Sequence, residues 1–148
     1  MADLFEKILL PVASRDDARA TAAALSKYEP DEIVAVHVIE KGGGTIDKAG
    51  VEQRELEAEE IFEALQESLG HAVETKITYG TDVAEAIFEA AHGIDASSIV
   101  ITPRGGSRWI RLLTGDVALS LITESDLPVV VLPDDEDLDI ESQGDSDR

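Results

Sequence analysis

Residues 98–132, SIVITPRGGSRWIRLLTGDVALSLITESDLPVVVL, decide the fold of this chain. They begin and end with short apolar runs rich in β-branched residues, at 98–102 and 128–132, and each run predicts a buried strand. Between the two lie a Gly/Arg-rich loop and the pattern of a helix that begins near Gly115 and Asp116. A strand, a helix and a strand in this order predict a βαβ unit, whose two strands are parallel.

The same alternation of strand and helix extends back to residue 5. Further strands are predicted at 5–12, at 33–39 and, with a weaker alternating pattern typical of an edge strand, at 72–78. Helical patterns begin at Asp16-Asp17, at about 49 and at Gly80-Thr81-Asp82, and Gly93 is expected at the C′ position of the third of these helices. The whole pattern predicts an α/β domain with an open five-stranded parallel sheet, helices on both faces and right-handed crossovers.

The length of 148 residues predicts one domain, which we assign to residues 1–133. Such a chain buries roughly 68–70% of its unfolded surface and needs no disulfide or metal to fold. Residues 134–148 hold eight acidic residues and one arginine, and we expect them to form a disordered tail. The chain has no cysteine, which excludes thiolate catalysis and zinc–cysteine sites.

The net charge of −20 excludes several classes of partner. Nucleic acids and anionic membranes repel such a surface, so we expect neither as a partner. Acidic residues are spread over nearly every segment, and there are only five lysines. This composition favours a protein from a salt-rich cytoplasm, where salt screens the repulsion between the acidic residues. The apolar runs are far shorter than the roughly 20 residues of a membrane helix. The first seven residues lack the basic region of a signal peptide, so we expect a cytoplasmic protein.

Ligands of open α/β sheets bind at the carboxyl ends of the strands, where the strand order reverses. Two segments qualify, residues 11–14 and residues 102–116. The second holds three of the seven arginines, beside a small-residue turn: Arg104, Arg108, Arg111, Gly105, Gly106 and Ser107. A glycine-rich turn can direct its N–H groups at a phosphate, and the start of the next helix adds partial positive charge. These residues could equally form an ordinary turn whose arginines pair with nearby acids.

The spacing of Gly105, nine residues and Gly115 is similar to the core of the universal stress protein signature, G-x2-G-x9-G-[ST]. The strand-like segments 7–12, 35–39 and 127–131 also stand where that family has them, as do Gly80 and Asp95. The chain resembles this family over about residues 4–133. The resemblance implies an adenine nucleotide alpha hydrolase-like sheet in the order 3-2-1-4-5. It also implies a homodimer, whose interface we assign to the strand Pro128–Leu132. It further implies a role in the stress response. Some members of the family bind ATP and others do not.

The resemblance also implies a nucleotide pocket that this chain retains only in part. Six residues match nucleotide contacts of the family: Pro11, Val12, Val38, Gly105, Gly115 and Val117. Three depart from the pattern. Ala13 stands where binders have an Asp that bonds the adenosine, Thr102 replaces the first signature glycine, and Asp116 replaces the Ser/Thr that contacts phosphate. At 4–5 Å and an effective dielectric constant near 20, a carboxylate and a phosphate repel by roughly 3–4 kcal/mol.

Three hypotheses of function follow. The first is a regulatory or binding protein with a degenerate nucleotide pocket. The second is a protein that still binds ATP, AMP or a small anion through Arg104, Arg108 and the loop amides. The third is a slow ATPase or phosphotransfer enzyme, which we favour least because no Walker motif or nucleophile elbow is present and we identify no catalytic residue. No metal-ligand spacing appears. His37 is interpreted as a hydrogen-bonded core residue, and Trp109 as either a packing residue or a lid.

Overall fold

The computed structural model describes residues 3–40, 48–102 and 123–132. Along them the elements are, in chain order, β1 (Lys7–Pro11), α1 (Arg15–Leu25), β2 (Glu32–Glu40), α2 (Lys48–Leu69), β3 (Glu74–Gly80), α3 (Val83–Gly93), β4 (Ser98–Ile101) and β5 (Val129–Val131). All strand pairs are parallel, and the strands lie in the order β3-β2-β1-β4-β5. The predicted open parallel sheet and its strand order are confirmed. The helix predicted from Gly115 and the tail 134–148 lie outside the described residues.

Strand β1 lies at the centre of the sheet and separates two hydrophobic layers. β2 and β4 pair with β1 on either side, and Ile8, Leu9 and Leu10 are fully buried because helices cover both faces of the sheet there. Ile8 and Leu10 pack with residues of α1 and α2, whereas Leu9 points to the opposite face and packs with α3. Burying one such side chain stabilises the fold by about 1.5–3 kcal/mol. The prediction of helices on both faces is therefore confirmed for the helices described.

The expected C′ position at Gly93 is wrong. Gly93 is the last residue of α3, and Asp95 adopts the left-handed conformation, with φ of 54°. The N–H of Asp95 donates to the His92 carbonyl, and the N–H of Ala96 donates to the Ala91 carbonyl. This pair of bonds is a Schellman motif with Asp95 at C′. Aspartate tolerates the left-handed region better than most residues, so the helix runs past its glycine.

The two edge strands of the sheet differ in character. Strand β3 carries exposed Glu74 and Lys76, and the Tyr79 hydroxyl donates a short hydrogen bond to Glu55 of α2. That hydrogen bond raises the pKa of Tyr79 above its ordinary value. Strand β5 presents only valines, and Val131 is 47% exposed. Of the helices that the structure describes, none has the length and apolarity of a membrane span.

Candidate functional site at the carboxyl edge of the sheet

Buried polar side chains gather at one edge of the sheet. Within the described residues, the buried polar side chains are Asp17, Thr21, His37, Ser98 and Thr102. Apart from Ser98, His37 lies in the carboxyl half of β2, Thr102 directly follows β4, and Asp17 and Thr21 lie on the face of α1 that contacts the chain after β1 and β4. Polar groups are costly to bury unless they are paired, so this clustering distinguishes the carboxyl edge from the rest of the core.

The end of β1 is fixed by two hydrogen bonds to β2. The N–H of Val12 donates to the Val36 carbonyl at 2.9 Å, and the Val12 carbonyl lies 2.8 Å from Nδ1 of His37. A carbonyl oxygen can only accept, so Nδ1 of His37 carries the proton. The interpretation of His37 as a hydrogen-bonded core residue is confirmed.

The loop after β1 is joined to the first turn of α1. Ser14 is the N-cap of α1, and its hydroxyl accepts a hydrogen bond from the N–H of Asp17 at 3.1 Å. Asp17 is only 1% exposed, and its Oδ2 accepts a hydrogen bond from the N–H of Ala13 at 2.7 Å. The Ala13 amide is therefore already occupied by a carboxylate of the protein itself.

The end of β4 is also joined to α1. Thr102 follows β4 directly, is 3% exposed, and lies with its Oγ1 3.1 Å from Oγ1 of Thr21. Thr21 stands one helical turn after Asp17, so a single face of α1 contacts the chain after both central strands. The Thr102 hydroxyl is directed into the layer between sheet and helix.

Five of the predicted site residues are described, and the sheet brings them to one edge: Pro11, Val12, Ala13, Val38 and Thr102. Pro11 pairs with Val36, and Val38 lies two residues further along β2. The remaining predicted site residues lie outside the described residues: Arg104, Gly105, Gly106, Ser107, Arg108, Gly115, Asp116 and Val117.

Sequence reasoning missed Asp17 as a member of this site. It treated Asp17 only as one of the two residues at which a helical pattern begins. The available signal was the spacing Ser14-x-x-Asp17, which is that of a capping box. The carboxylate reaches one residue further back than in the usual box, to Ala13 rather than to Ser14.

A cavity of about 660 Å³ lies at the opposite edge of the sheet. It is bounded by the end of α1, the end of α2 and the first residues of β2 and β3. Four carboxylates line it, those of Glu29, Asp31, Glu32 and Glu74, and no lysine or arginine is among its described lining residues. This cavity therefore disfavours anions, and we place the candidate site at the carboxyl edge.

The fold is that of an open parallel α/β domain, a class in which ligands bind outside the carboxyl ends of the strands. The chain belongs to the universal stress protein family, whose model matches residues 4–133.

Solved structures of the same family share the fold. The universal stress protein from Archaeoglobus fulgidus in complex with dAMP is 21% identical, with a TM-score of 0.61 over 88% of this chain and 99% of that one. UspA from Lactobacillus plantarum is 20% identical, with a TM-score of 0.62 over 88% and 99% of the two chains. A universal stress protein in complex with cAMP is 15% identical, with a TM-score of 0.57 over 88% and 98%. No curated protein sequence matches the chain.

Proposed function

We propose that this chain is a regulatory or binding member of its family with a degenerate nucleotide pocket, that it acts in a salt-rich cytoplasm, and that it is not an enzyme. The pocket lies at the carboxyl edge of the sheet, where Ala13 and Thr102 depart from the nucleotide-binding pattern and make contacts within the protein instead.

The hydrogen bond between Ala13 and Asp17 carries the proposal. Residue 13 has no side chain that could accept a bond from a nucleoside, and its N–H is already paired with Asp17 at 2.7 Å. Asp17 is 1% exposed, so its carboxylate does not offer a ligand the acceptor that residue 13 lacks. Thr102 has a methyl group and a hydroxyl where the family has glycine, and both are buried with it. These contacts favour a pocket adapted to be stable without a nucleotide.

Calorimetric titration with Mg-ATP in about 2 M KCl tests this proposal. We expect the wild-type chain to bind no tighter than about 1 mM, which corresponds to about −4 kcal/mol. Micromolar binding would contradict the proposal, because it would require contacts that replace the missing ones. Adenosine titrated in parallel separates recognition of the nucleoside from recognition of the phosphates.

The second candidate function is binding of ATP, AMP or another small anion through Arg104, Arg108 and the loop amides. Relatives whose structures hold dAMP and cAMP favour it. It predicts that the chain carries nucleotide through purification. Denaturing the protein and measuring absorbance of the supernatant at 260 nm distinguishes this candidate from the first. A slow ATPase or phosphotransfer activity, the third candidate, requires in addition that ATP turns over.

A two-fold homodimer through β5 completes the proposal. Strand β5 pairs with β4 on one side, is the last strand of the described sheet, and exposes Val131. An apolar edge strand with open N–H and C=O groups readily pairs with another chain. The segment Pro128–Leu132 is therefore the interface that we propose.

Light scattering in about 2 M KCl tests the dimer. We expect twice the chain mass of 15.9 kDa for the wild type. Val131→Glu should give a monomer, because it places a charge at the paired edge. Thr75→Glu makes a matched change on exposed β3 and should leave the dimer intact. A wild-type monomer, or a Val131→Glu dimer, would show that β5 is not the interface.

A further inference from the structure

The cavity at the opposite edge of the sheet, where β2 and β3 begin, has the form of a ligand site. Its volume of about 660 Å³ falls within the range of roughly 300–1,000 Å³ that is typical of small-molecule sites. Four aliphatic residues line it and belong to the core between the sheet and the helices α1 and α2: Leu25, Ile33, Leu69 and Val73. Leu25 is buried and the other three are half-buried, so the core forms an apolar floor that is partly open to a ligand.

The rim of this cavity is acidic. Four of its lining residues are exposed acids: Glu29, Asp31, Glu32 and Glu74. None of the four forms an ion pair within the part of the chain that the structure describes. Lys27 stands between the lining residues Ser26 and Tyr28 but is not itself among them. The acidic rim is therefore available to a positively charged group.

Two helices end at the cavity. Leu25 is the last residue of α1 and Leu69 is the last residue of α2, and both line the cavity. The last carbonyl groups of a helix carry partial negative charge, which a basic residue in the last turn can offset. Neither helix has a basic residue there. The two helix ends therefore add to the negative potential of the rim through backbone groups rather than side chains.

An aromatic ring forms part of the wall. Tyr28 lines the cavity, and its ring stacks on the ring of Phe5 with the centroids 5.5 Å apart. The N–H of Tyr28 donates to the Leu25 carbonyl at 2.9 Å, so its backbone is also held in place. An aromatic face attracts a cation that lies within about 6 Å of its centre, and it also packs against hydrocarbon. Tyr28 therefore suits both parts of a ligand that joins a positive group to an apolar chain.

We propose that this cavity binds a small organic cation, an amine or guanidine that carries an apolar chain. The chain packs on the aliphatic floor, and the charged group contacts the acidic rim and the helix ends. A neutral apolar molecule would use only the floor, and a solvated inorganic cation would use only the rim. The site lies at the edge of the sheet opposite to the nucleotide pocket, so the inference does not depend on the proposed function.

Three probes with the same six-carbon chain separate charge from apolar contact: hexylammonium, hexanol and hexanoate. Protein-observed NMR titrations in about 1 M KCl give the dissociation constant and also show which residues are affected. The screening length at this concentration is about 3 Å, so only acids close to the bound ligand contribute. We expect hexylammonium to bind in the low-millimolar range, at least about threefold tighter than hexanol, and hexanoate to bind most weakly. The largest shifts should occur at the lining residues.

The double substitution Glu29→Gln with Asp31→Asn removes two charges from the rim with little change of shape. We expect it to weaken hexylammonium binding about threefold and to leave hexanol binding unchanged. Glu52→Gln with Glu59→Gln is the matched control, because it removes two exposed acids of α2 that do not line the cavity. This control should leave all three dissociation constants unchanged. Ala72→Phe fills the cavity from an exposed lining position and should weaken the binding of hexylammonium and hexanol alike.

Three results would overturn the inference. Equal affinities for hexylammonium and hexanol would show that the charge plays no part. An equal loss of hexylammonium binding in the two double variants would show that the charge of the whole chain, rather than this rim, attracts the cation. The third is the absence of hexylammonium binding to the wild type up to about 20 mM. Amide spectra show whether each variant folds, and the shifts in the wild type locate the site even if Ala72→Phe does not fold.

Discussion

The melting temperature of this chain is expected to rise by about 10 °C or more when KCl increases from about 0.1 M to about 2 M, which corresponds to about 3 kcal/mol for a domain of this size. The physical cause is the net charge of −20, whose self-repulsion destabilises the compact state in dilute salt. Among the described residues, ion pairs offset little of this repulsion. The pairs Arg15–Glu60, at 3.7 Å, and Arg19–Asp16 have side chains more than half exposed, and exposed pairs contribute little to stability.

Differential scanning calorimetry over that range measures the effect. Deleting residues 134–148 removes eight acids and one arginine, so the net charge changes from −20 to −13. The salt dependence should weaken modestly, and the domain should remain folded. Sucrose in place of KCl is a useful control, because it strengthens burial without screening charge. A melting temperature that does not change with KCl contradicts a protein adapted to salt.

The second large effect is expected from restoring the nucleotide-binding pattern. The triple substitution Ala13→Asp, Thr102→Gly and Asp116→Ser should tighten Mg-ATP binding at least about tenfold, or about 1.4 kcal/mol. Ala13→Asp restores an acceptor for the nucleoside, and Thr102→Gly opens space for the backbone to approach the ligand. Asp116→Ser should contribute most, because it removes a repulsion of roughly 3–4 kcal/mol at contact distance.

The contacts of Thr102 determine how this variant should be built. Thr102→Gly removes the hydroxyl that pairs with Thr21, and leaving a buried hydroxyl without that partner costs about 1–3 kcal/mol of stability. Adding Thr21→Val removes both hydroxyls and should restore most of the loss. Asp31→Ser is the matched charge control, because Asp31 lines the cavity at the opposite edge of the sheet. The prediction is wrong if calorimetric titration shows the same gain for Asp31→Ser, or no gain for the triple variant.

The hydrophobic pattern predicted most of the fold because burial depends on residues a few positions apart. Ile8 and Leu10 on one face of β1, with Leu9 on the other, follow from strand alternation alone. The strand order was predicted on another basis. Local pattern does not determine which strands are neighbours, so the order came from the resemblance to a family. The end of α3 was misplaced because glycine suits C′ in general, whereas here Asp95 takes that position and the hydrogen bonds from Asp95 and Ala96 close the helix.

The sequence predicted where in the fold the site lies, but not which residues contact each other within it. Residues that directly follow β1 and β4 were expected at the carboxyl edge of the sheet, because parallel strands bring their carboxyl ends together. The burial of Asp17 depends on how α1 packs against the sheet, which no local pattern specifies. The roles of Arg104, Arg108 and Asp116 stay predictions, because they lie outside the described residues.

The difference between the two edge strands affects how many chains can join through their sheet edges. If both edges were open and apolar, copies could add one after another and form a fibre. Strand β3 resists such growth, because its exposed Glu74 and Lys76 would have to be desolvated against an incoming strand. The proposed pairing through β5 would use the apolar edge of both copies and would leave the two β3 edges, which carry charged residues, facing outward. Association through strand edges would then end at two chains. At the high protein concentration of a cell, this limit would prevent the growth of fibres.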